Sequence, residues 1–362
     1  MELEKLFKKT YAGKKVFITG HTGFKGSWLT VWLQNLGAIV KGYSLAPDAD
    51  QLLFPELEKK LKCESVFSDI RDKKKLESEI IKFRPDFIFH MAAQALVRYS
   101  YSFPLETFET NITGTANLLN SLIKLDRKCT VVIVTTDKVY ENREWIYPYR
   151  ENDELGGYDP YSASKAAAEI VTRSMRNSFF NIKKIKDHKK AVATARAGNV
   201  IGGGDYSMDR IIPDIVKAIK NNEMINIRNP ESVRPWQHVL DPLSGYLLLG
   251  CRLSDDPEKF TGAFNFGPAP DCNLTVKELV EKAVKFFGKG KIKITGKGNG
   301  PHEAGLLKLD ISKAVTELGW KPEWDSVTAV EKTIHWYKDS LKKSGNSFDL
   351  CMRDIESYIN IN

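Results

Sequence analysis

Six short apolar runs recur through the first 200 residues, and helix-length segments separate most of them. The runs are KKVFITG, AIVKGYS, CESVFSDI, DFIFHMA, CTVVIVTT and AVATARAGNV. Between them, FKGSWLTVWLQNLG, DKKKLESEIIKF, PLETFETNITGTANLLNSLIKL and a stretch from about Tyr161 to Phe180 carry apolar residues at helical spacing. A strand followed by a helix-length crossover cannot fold back as a tight hairpin, so the next strand lies parallel to it. A parallel sheet needs helices on both faces to cover its apolar surfaces. The expected fold is therefore α/β, a doubly wound parallel sheet of the Rossmann type, over residues 1–198. Beyond it glycines, prolines and short elements take over in IGGGDYSMDRIIPDIV, RNPESVRPWQHV and FNFGPAPDCN. We read 199–362 mainly as a smaller C-terminal substrate-binding lobe that closes a cleft at the carboxyl edge of the sheet. The segment around 233–255 is expected to return to the large domain.

Composition removes several classes. The N-terminus MELEKLFKKTYAGKK is polar, without the apolar core of a signal peptide, and no uninterrupted apolar run reaches the roughly 20 residues that span a bilayer. The five cysteines, Cys63, Cys129, Cys251, Cys272 and Cys351, stand singly with no CxxC. They fit a reducing cytoplasm and argue against a disulfide framework or a zinc site. The histidines show no HExxH or similar spacing, so no metal is expected. The net charge of +8 comes from lysines spread among glutamates on helix-like segments, a solvated basic surface with some cations left for an anionic ligand. Lysines clustered with aromatics, as a nucleic-acid surface requires, are not the pattern.

The first strand runs into GHTGFKG, which places Gly20, Gly23 and Gly26 at GxxGxxG spacing before the first helix. Glycines there permit a tight turn, close approach of backbone to a pyrophosphate and tight helix–strand packing, and the helix start faces the phosphates. A lone glycine pattern is weak; its place between strand and helix is what gives it weight. Strand two ends KGYSLAPD, without the acid that usually holds the adenosine ribose. Ser44 could supply a hydroxyl there, and Asp48 lies too far along. NAD and NADP are therefore not separated at this point. Asp69 in FSDIRD is a candidate adenine contact or, equally, the N-cap of the next helix.

Two further patterns carry chemistry. DPYSASKAAAE puts Tyr161 and Lys165 four apart, on one face of a helix with Asp159 as N-cap and Pro160 at its first position. A tyrosine with an ordinary pKa of about 10 is a poor base at neutral pH, and a neighbouring ammonium favours its phenolate. CTVVIV runs into TTDKVYEN, so Thr135, Thr136, Asp137 and Lys138 sit at a strand's carboxyl end, where open α/β sheets bind ligands.

With TGHTGFKG, HMAAQ, TNITGT, TTDK and YSASK in this order, the sequence resembles the extended short-chain dehydrogenase/reductase family, in its NAD-dependent epimerase/dehydratase group. QALVRYSY, TTDKVYENREW, ARAGNVIGGGD, RNPESVRPWQHVLDPLSGYL and LGWKPEW narrow the likeness to nucleotide-sugar 4,6-dehydratases acting on CDP-glucose, from about residue 14 to 340. The resemblance implies a redox-neutral hydro-lyase with NAD. Tyr161 takes the 4-hydroxyl proton as C4 gives up hydride. The 4-keto group acidifies C5, water leaves across C5 and C6, and hydride returns to C6. Thr136 would hydrogen-bond the C4 oxygen, Asp137 would protonate the departing 6-hydroxyl, and Lys165 would hold the nicotinamide ribose and lower the tyrosine's pKa. Relatives acting on dTDP-glucose carry glutamate where this chain has Lys138. A neutral lysine could take the C5 proton, and a charged one could stabilise the enolate.

The cofactor contacts implied are Gly20, Thr22, Gly23, Phe24, Lys25, Gly26, Ser44, Asp69, Ile70, Ala92, Ala93, Gln94, Thr135, Tyr161, Lys165 and Gly198. Arg234 is the first candidate for the substrate diphosphate, because a guanidinium matches phosphate as a bidentate fork. Arg210 is the second. Asn199 should meet the diphosphate or sugar, Arg98, Tyr99 and Ser100 the sugar pocket, and His302 and Glu303 the ribose. The competing readings are a 4-epimerase, a 4,6-dehydratase for another nucleotide hexose, and a non-catalytic scaffold. An epimerase needs no acid at C6, so Asp137 favours dehydration; a scaffold has no need for Tyr161 and Lys165. The likeness further implies a cytoplasmic homodimer paired through helices at about 103–125 and 161–180, serving deoxysugar supply for surface polysaccharide such as O-antigen, with a nucleotide sugar as its small-molecule partner and neither nucleic acid nor membrane.

Overall fold

The computed structural model describes residues 2–48, 53–270, 272, 274–296, 306–342 and 345–360. Its centre is a seven-stranded sheet. The first six strands are β1 (Lys15–Thr19), β2 (Ile39–Ser44), β3 (Cys63–Phe67), β4 (Phe87–His90), β5 (Cys129–Val134) and β6 (Lys190–Ala197). Every pairing in it is parallel, in the order β3, β2, β1, β4, β5, β6 and then Gly262–Phe266. The doubly wound sheet expected from the alternation is present. The seventh strand comes from a stretch read above as short lobe elements, since FNFG is too brief to stand out.

β5 shows why the sheet needs two covers. Val132 and Val134 pack into one apolar core, whereas Cys129, Val131 and Ile133 pack into the other. Alternate side chains leave a strand on opposite faces, so a wholly apolar strand is buried on both. One face carries Lys73–Phe83, Gly114–Ile123 and Pro160–Ser178. The other carries Phe24–Asn35 and Leu240–Asp255, with Ser347–Ile359 packed outside Phe24–Asn35. That arrangement buries every residue from Gly26 to Leu33, which is why FKGSWLTVWLQN is apolar all round.

β1 pairs with β2 on one side and β4 on the other. The chain winds away in opposite directions from this junction, which opens a crevice at the carboxyl ends of the two strands. The segment read as one helix over 103–125 is Pro104–Phe108, a π-helical turn at Glu109–Thr113, and Gly114–Ile123. Beyond β6, short pairings join Val200–Ile201 to Gln237–His238, Val233–Arg234 to Leu274–Thr275, and Met224–Ile227 to Lys291–Ile294. The cysteines are free thiols. Among the described residues no helix is long and apolar enough to cross a membrane, and no cluster of three metal-ligating side chains occurs.

The C-terminal helix is tied down by Asp241. Its Oδ1 accepts from Glu323 N and from the Tyr358 hydroxyl, both at 2.9 Å, inside the protein. Burial pushes its carboxyl up to about 7 against these bonds. A carboxyl raised on folding favours the folded state when protonated, so its contribution is lost as pH climbs from about 4 to about 7. An Asp241→Asn variant is expected to lack this component: the fall in Tm with rising pH, followed by calorimetry, is shallower than in the parent.

Candidate active site

The glycine turn is fixed by contact. Gly20 has φ +76°, and a Cβ on it would lie 2.7 Å from the Ala92 amide nitrogen. A Cβ on Gly26 would lie 2.0 Å from the Gly20 carbonyl oxygen. Both positions exclude a side chain, so helix and turn press together. A Cβ on Gly23 would meet only the Gly20 oxygen at 3.5 Å. No side chain caps the helix at Gly23, and its first amides face the crevice. A Gly26→Ala variant is expected to push this helix back and weaken dinucleotide binding by at least ~10²-fold, the scale of a 1 Å misplacement; titration calorimetry measures it.

At the end of β5 the chain enters a single 3-10 turn, Asp137–Val139, with Thr136 as N-cap. Thr136 Oγ1 donates to Asp137 Oδ1 at 2.9 Å and accepts from Lys138 N. Asn199, in a left-handed conformation, donates from Nδ2 to the other Asp137 oxygen at 3.3 Å. Gly198 leaves room for this carboxyl: a Cβ there would lie 2.0 Å from Asp137 Cγ. Asp137 is buried, at 2% exposure, and lines a cavity of about 310 Å³ with Ile146, Pro148, Gln237 and Asp310. Lys138 is half-buried, and its ammonium makes no hydrogen bond or ion pair among the described residues.

Pro160–Ser178 supplies Tyr161 and Lys165. Asp159 accepts from Ser162 N, and Pro160 occupies the first turn, as read from DPYS. Tyr161 hydrogen-bonds Thr136, which joins the tyrosine to the strand-end turn. Lys165 is buried, and its one hydrogen bond among the described residues goes to Val134 O at 2.9 Å. Burial lowers its pKa to about 8, against the pull of Glu169. Burial pushes Tyr161 up to about 12, while the hydrogen bond with Thr136 and the charge of Arg210 pull it down. Burial likewise lowers Lys25 to about 7, helped by Arg210 and Lys165.

Most of the other candidates make contacts within the protein. The Ser44 hydroxyl bonds Thr22 Oγ1 at 2.9 Å and the His21 ring at 3.0 Å, so it braces the glycine turn. Asp69 is not the N-cap of the next helix; Asp72 is. Its carboxylate is held by the Arg71 guanidinium and amide, which keep it below the usual range. Ile70 packs into the apolar core under Gly114. The Ala92 amide donates to Thr19 Oγ1, Ala93 follows half-buried, and Gln94 Nε2 is spent on Leu96 O and Thr107. Phe24 packs against Gly202. Thr135 turns its hydroxyl away, to Glu169.

The substrate candidates divide in the same way. Ser100 is wholly buried: it donates to Val97 O and accepts from Tyr161 N, so it seats the helix. Tyr99 bonds Glu106 and packs its ring at a tilt against Phe103. Arg98 pairs with Asp209 at 2.8 Å, a bridge between the large domain and the loop before Ile211–Lys220. Arg210 lies 3.7 Å from Asp205 and acts electrostatically on Tyr161 and Lys25. Arg234 donates to Val233 O from the short pairing with Leu274–Thr275. His302 and Glu303 lie outside the described residues.

Residues not singled out in the sequence also matter. Asn111, on the π-helical turn, accepts from Gln94 N and donates to Ser164 Oγ at 2.8 Å, which joins the β4 loop to the Tyr161 helix. It lies inside TNITGT, so the motif held the signal. Glu169 closes DPYSASKAAAE and Arg196 stands in ARAGNVIGGGD, but nothing in either run signals that the two pair behind Thr135. The site fits a dinucleotide: an open cradle over Gly23, an uncapped helix start and a buried ammonium at Lys165 stand along one crevice.

Residues 17–333 match the family described as GDP-mannose 4,6 dehydratase. The chain is 47% identical over 353 residues to a CDP-glucose 4,6-dehydratase of Salmonella typhimurium (strain LT2), spanning 97% of this chain and 98% of that protein. Among solved structures, the dTDP-glucose 4,6-dehydratase DesIV from Streptomyces venezuelae, with NAD and TYD bound, superposes at TM-score 0.75 with 24% identity, covering 90% of this chain and 97% of that one. The UDP-glucose 4-epimerase of Thermotoga maritima, with UDP-glucose, superposes at 0.77 with 23% identity, covering 91% and 100%.

Proposed function

The chain belongs to the extended short-chain dehydrogenase/reductases of the GDP-mannose 4,6 dehydratase family, and on that premise we propose that it is an NAD-dependent nucleotide-sugar 4,6-dehydratase converting CDP-glucose to CDP-4-keto-6-deoxyglucose. The observation that carries this reading is the buried Asp137 carboxyl bonded to Thr136, which is itself bonded to Tyr161. A 4-epimerase has no use for an acid at that place. NAD, held at the glycine turn and Lys165, would supply the two-electron redox chemistry, so that oxidation at C4 and reduction at C6 leave the overall reaction redox-neutral.

The chain's own groups manage the protons. Tyr161 removes the proton of the 4-hydroxyl, and Thr136 holds the C4 oxygen beside it. Lys165 and the open cradle at Gly23 bind and orient the dinucleotide. Once C4 is a ketone, the C5 proton is acidic. Asp137 protonates the 6-hydroxyl as it leaves, so that C5–H and C6–O break and water departs. Lys138 serves C5. A Lys138→Met variant is expected to form the 4-keto sugar yet lose solvent deuterium wash-in at C5 by ~10²-fold; unchanged wash-in in a mass-spectrometric time course assigns that proton to another group.

Residues 1–198 form the cofactor-binding domain and 199–362 mainly the substrate lobe, with the chain near 233–255 returning to the large domain; the packing of Leu240–Asp255 on β5 and β6 supports this. The protein is a cytoplasmic homodimer in deoxysugar supply for surface polysaccharide. Exposed Phe103, Leu105, Ile123, Ile170 and Phe179 on and beside the two long helices support the pairing.

The test is anaerobic incubation with CDP-, dTDP-, GDP- and UDP-glucose. A 4-keto-6-deoxy product should form from CDP-glucose in preference, with no net reduction of cofactor. Interconversion of gluco and galacto forms without loss of water would overturn the reading in favour of an epimerase.

A further inference from the structure

Behind the strand-end turn lies a fully enclosed ion pair. Glu169 and Arg196 have side chains only 4% exposed. Both Glu169 oxygens are saturated: Oε1 accepts from Thr135 Oγ1 at 2.6 Å and Arg196 Nε at 3.0 Å, and Oε2 from Thr194 Oγ1 at 2.8 Å and Arg196 Nη2 at 3.0 Å. The remaining guanidinium nitrogen donates to the Tyr140 hydroxyl at 2.8 Å and to Glu151 O at 3.0 Å. Tyr140 donates onward to Asn265, whose amide holds Tyr149 O and Asp310 O.

Thr135 immediately precedes the turn that carries Thr136, Asp137 and Lys138, and Tyr140 immediately follows it. We propose that the Glu169–Arg196 pair is a positioning element for the reaction, clamping the turn at both ends, through the carboxylate at Thr135 and through the guanidinium at Tyr140. The pair touches no reacting atom. It sets where the Thr136 hydroxyl and Asp137 carboxyl stand relative to Tyr161, because Glu169 lies one helical turn beyond Lys165 on the helix that carries both. Buried charge pairs are poor devices for stability alone, since an apolar pair of similar volume is often as stable, whereas a saturated one fixes a geometry. Glu169 has a second effect, on Lys165. On its own helix that ammonium has Glu169 one turn after and Tyr161 one turn before it, and it acts on Lys25 from the glycine turn and His90 from β4; Glu169 favours its charge.

This inference rests on the dehydratase reading, and the parent protein in the same assay separates the two: a parent without 4-keto-6-deoxy product overturns the reading itself. With an active parent, Glu169→Gln is expected to lower kcat by ~10²-fold with KM for CDP-glucose changed less than ~3-fold, the signature of misplacement after binding. Its alkaline loss of kcat should begin at lower pH, and pH-resolved acetic anhydride labelling of Lys165, read by mass spectrometry, should shift the same way. A Glu169→Gln, Arg196→Met double variant restores charge balance and should recover Tm without recovering kcat. Thr135→Val, which leaves the ion pair whole, should lower kcat by ~10-fold with the pH profile unmoved. Recovery of kcat together with Tm in the double variant, or parental kcat in Thr135→Val, overturns the clamp.

Discussion

Tyr161→Phe is expected to lower kcat by ~10²–10⁴-fold, the range for removal of a general base, with no reduced cofactor appearing in a stopped-flow absorbance trace after substrate is added. The fold should survive, because the helix is seated through the Tyr161 backbone amide on Ser100 and through its Asp159 cap, neither of which the hydroxyl serves. The pH dependence is the sharper part. Burial holds Tyr161 at about 12 in the ligand-free protein, with Arg210 and the Thr136 hydrogen bond drawing it down. At neutral pH the free tyrosine therefore keeps its proton. Further positive charge, from a bound oxidised nicotinamide, favours the phenolate. In the parent, the rate of C4 oxidation should rise with pH through the tyrosine's pKa in the complex, and cofactor binding should move that pKa below 12. The phenylalanine variant loses the ascending limb. An ascending limb that survives in Tyr161→Phe assigns the base elsewhere.

Asp137→Asn should separate the two halves of the reaction. The amide is nearly isosteric and fits the space left by Gly198: its oxygen keeps the bond from Thr136, and its NH2 is accommodated once the Asn199 amide turns its oxygen toward it. What it lacks is a proton for the 6-hydroxyl. Oxidation at C4 and deuterium wash-in at C5 should continue, while 4-keto-6-deoxy product falls by ~10²–10⁴-fold. Reduced cofactor should then persist in the enzyme, visible as a burst that does not decay. Normal dehydration in this variant removes the acid assignment and with it the argument against epimerisation.

How far the site could be read in advance followed from distance along the chain. Gly20, Gly26, Tyr161, Lys165 and the Thr136–Lys138 turn each stand in a contiguous run whose local geometry fixes their placement. What the sequence did not show were contacts whose partners lie far off along the chain. His21 and Thr22 reach Ser44 across the turn. Ser100 seats a helix 61 residues away. Of the two readings of Asp69, the cap is excluded: Asp72, three residues later, caps the helix, and Arg71 holds the Asp69 carboxylate.

The sequence by itself determined the parallel sheet, the glycine turn after β1, and the strand-end and helix positions of Thr136, Asp137, Tyr161 and Lys165. Periodicity and strand-end position are local, and a parallel topology leaves little choice once the alternation is set. Only the tertiary structure decided the seventh strand at Gly262–Phe266, the burial that raises Tyr161 above its ordinary pKa, and the Glu169–Arg196 pair behind the Asp137–Val139 turn. Each depends on burial and on partners brought together from separate strands and helices. Burial sets the energy of a charge, and burial belongs to the packed molecule and not to any one segment of it.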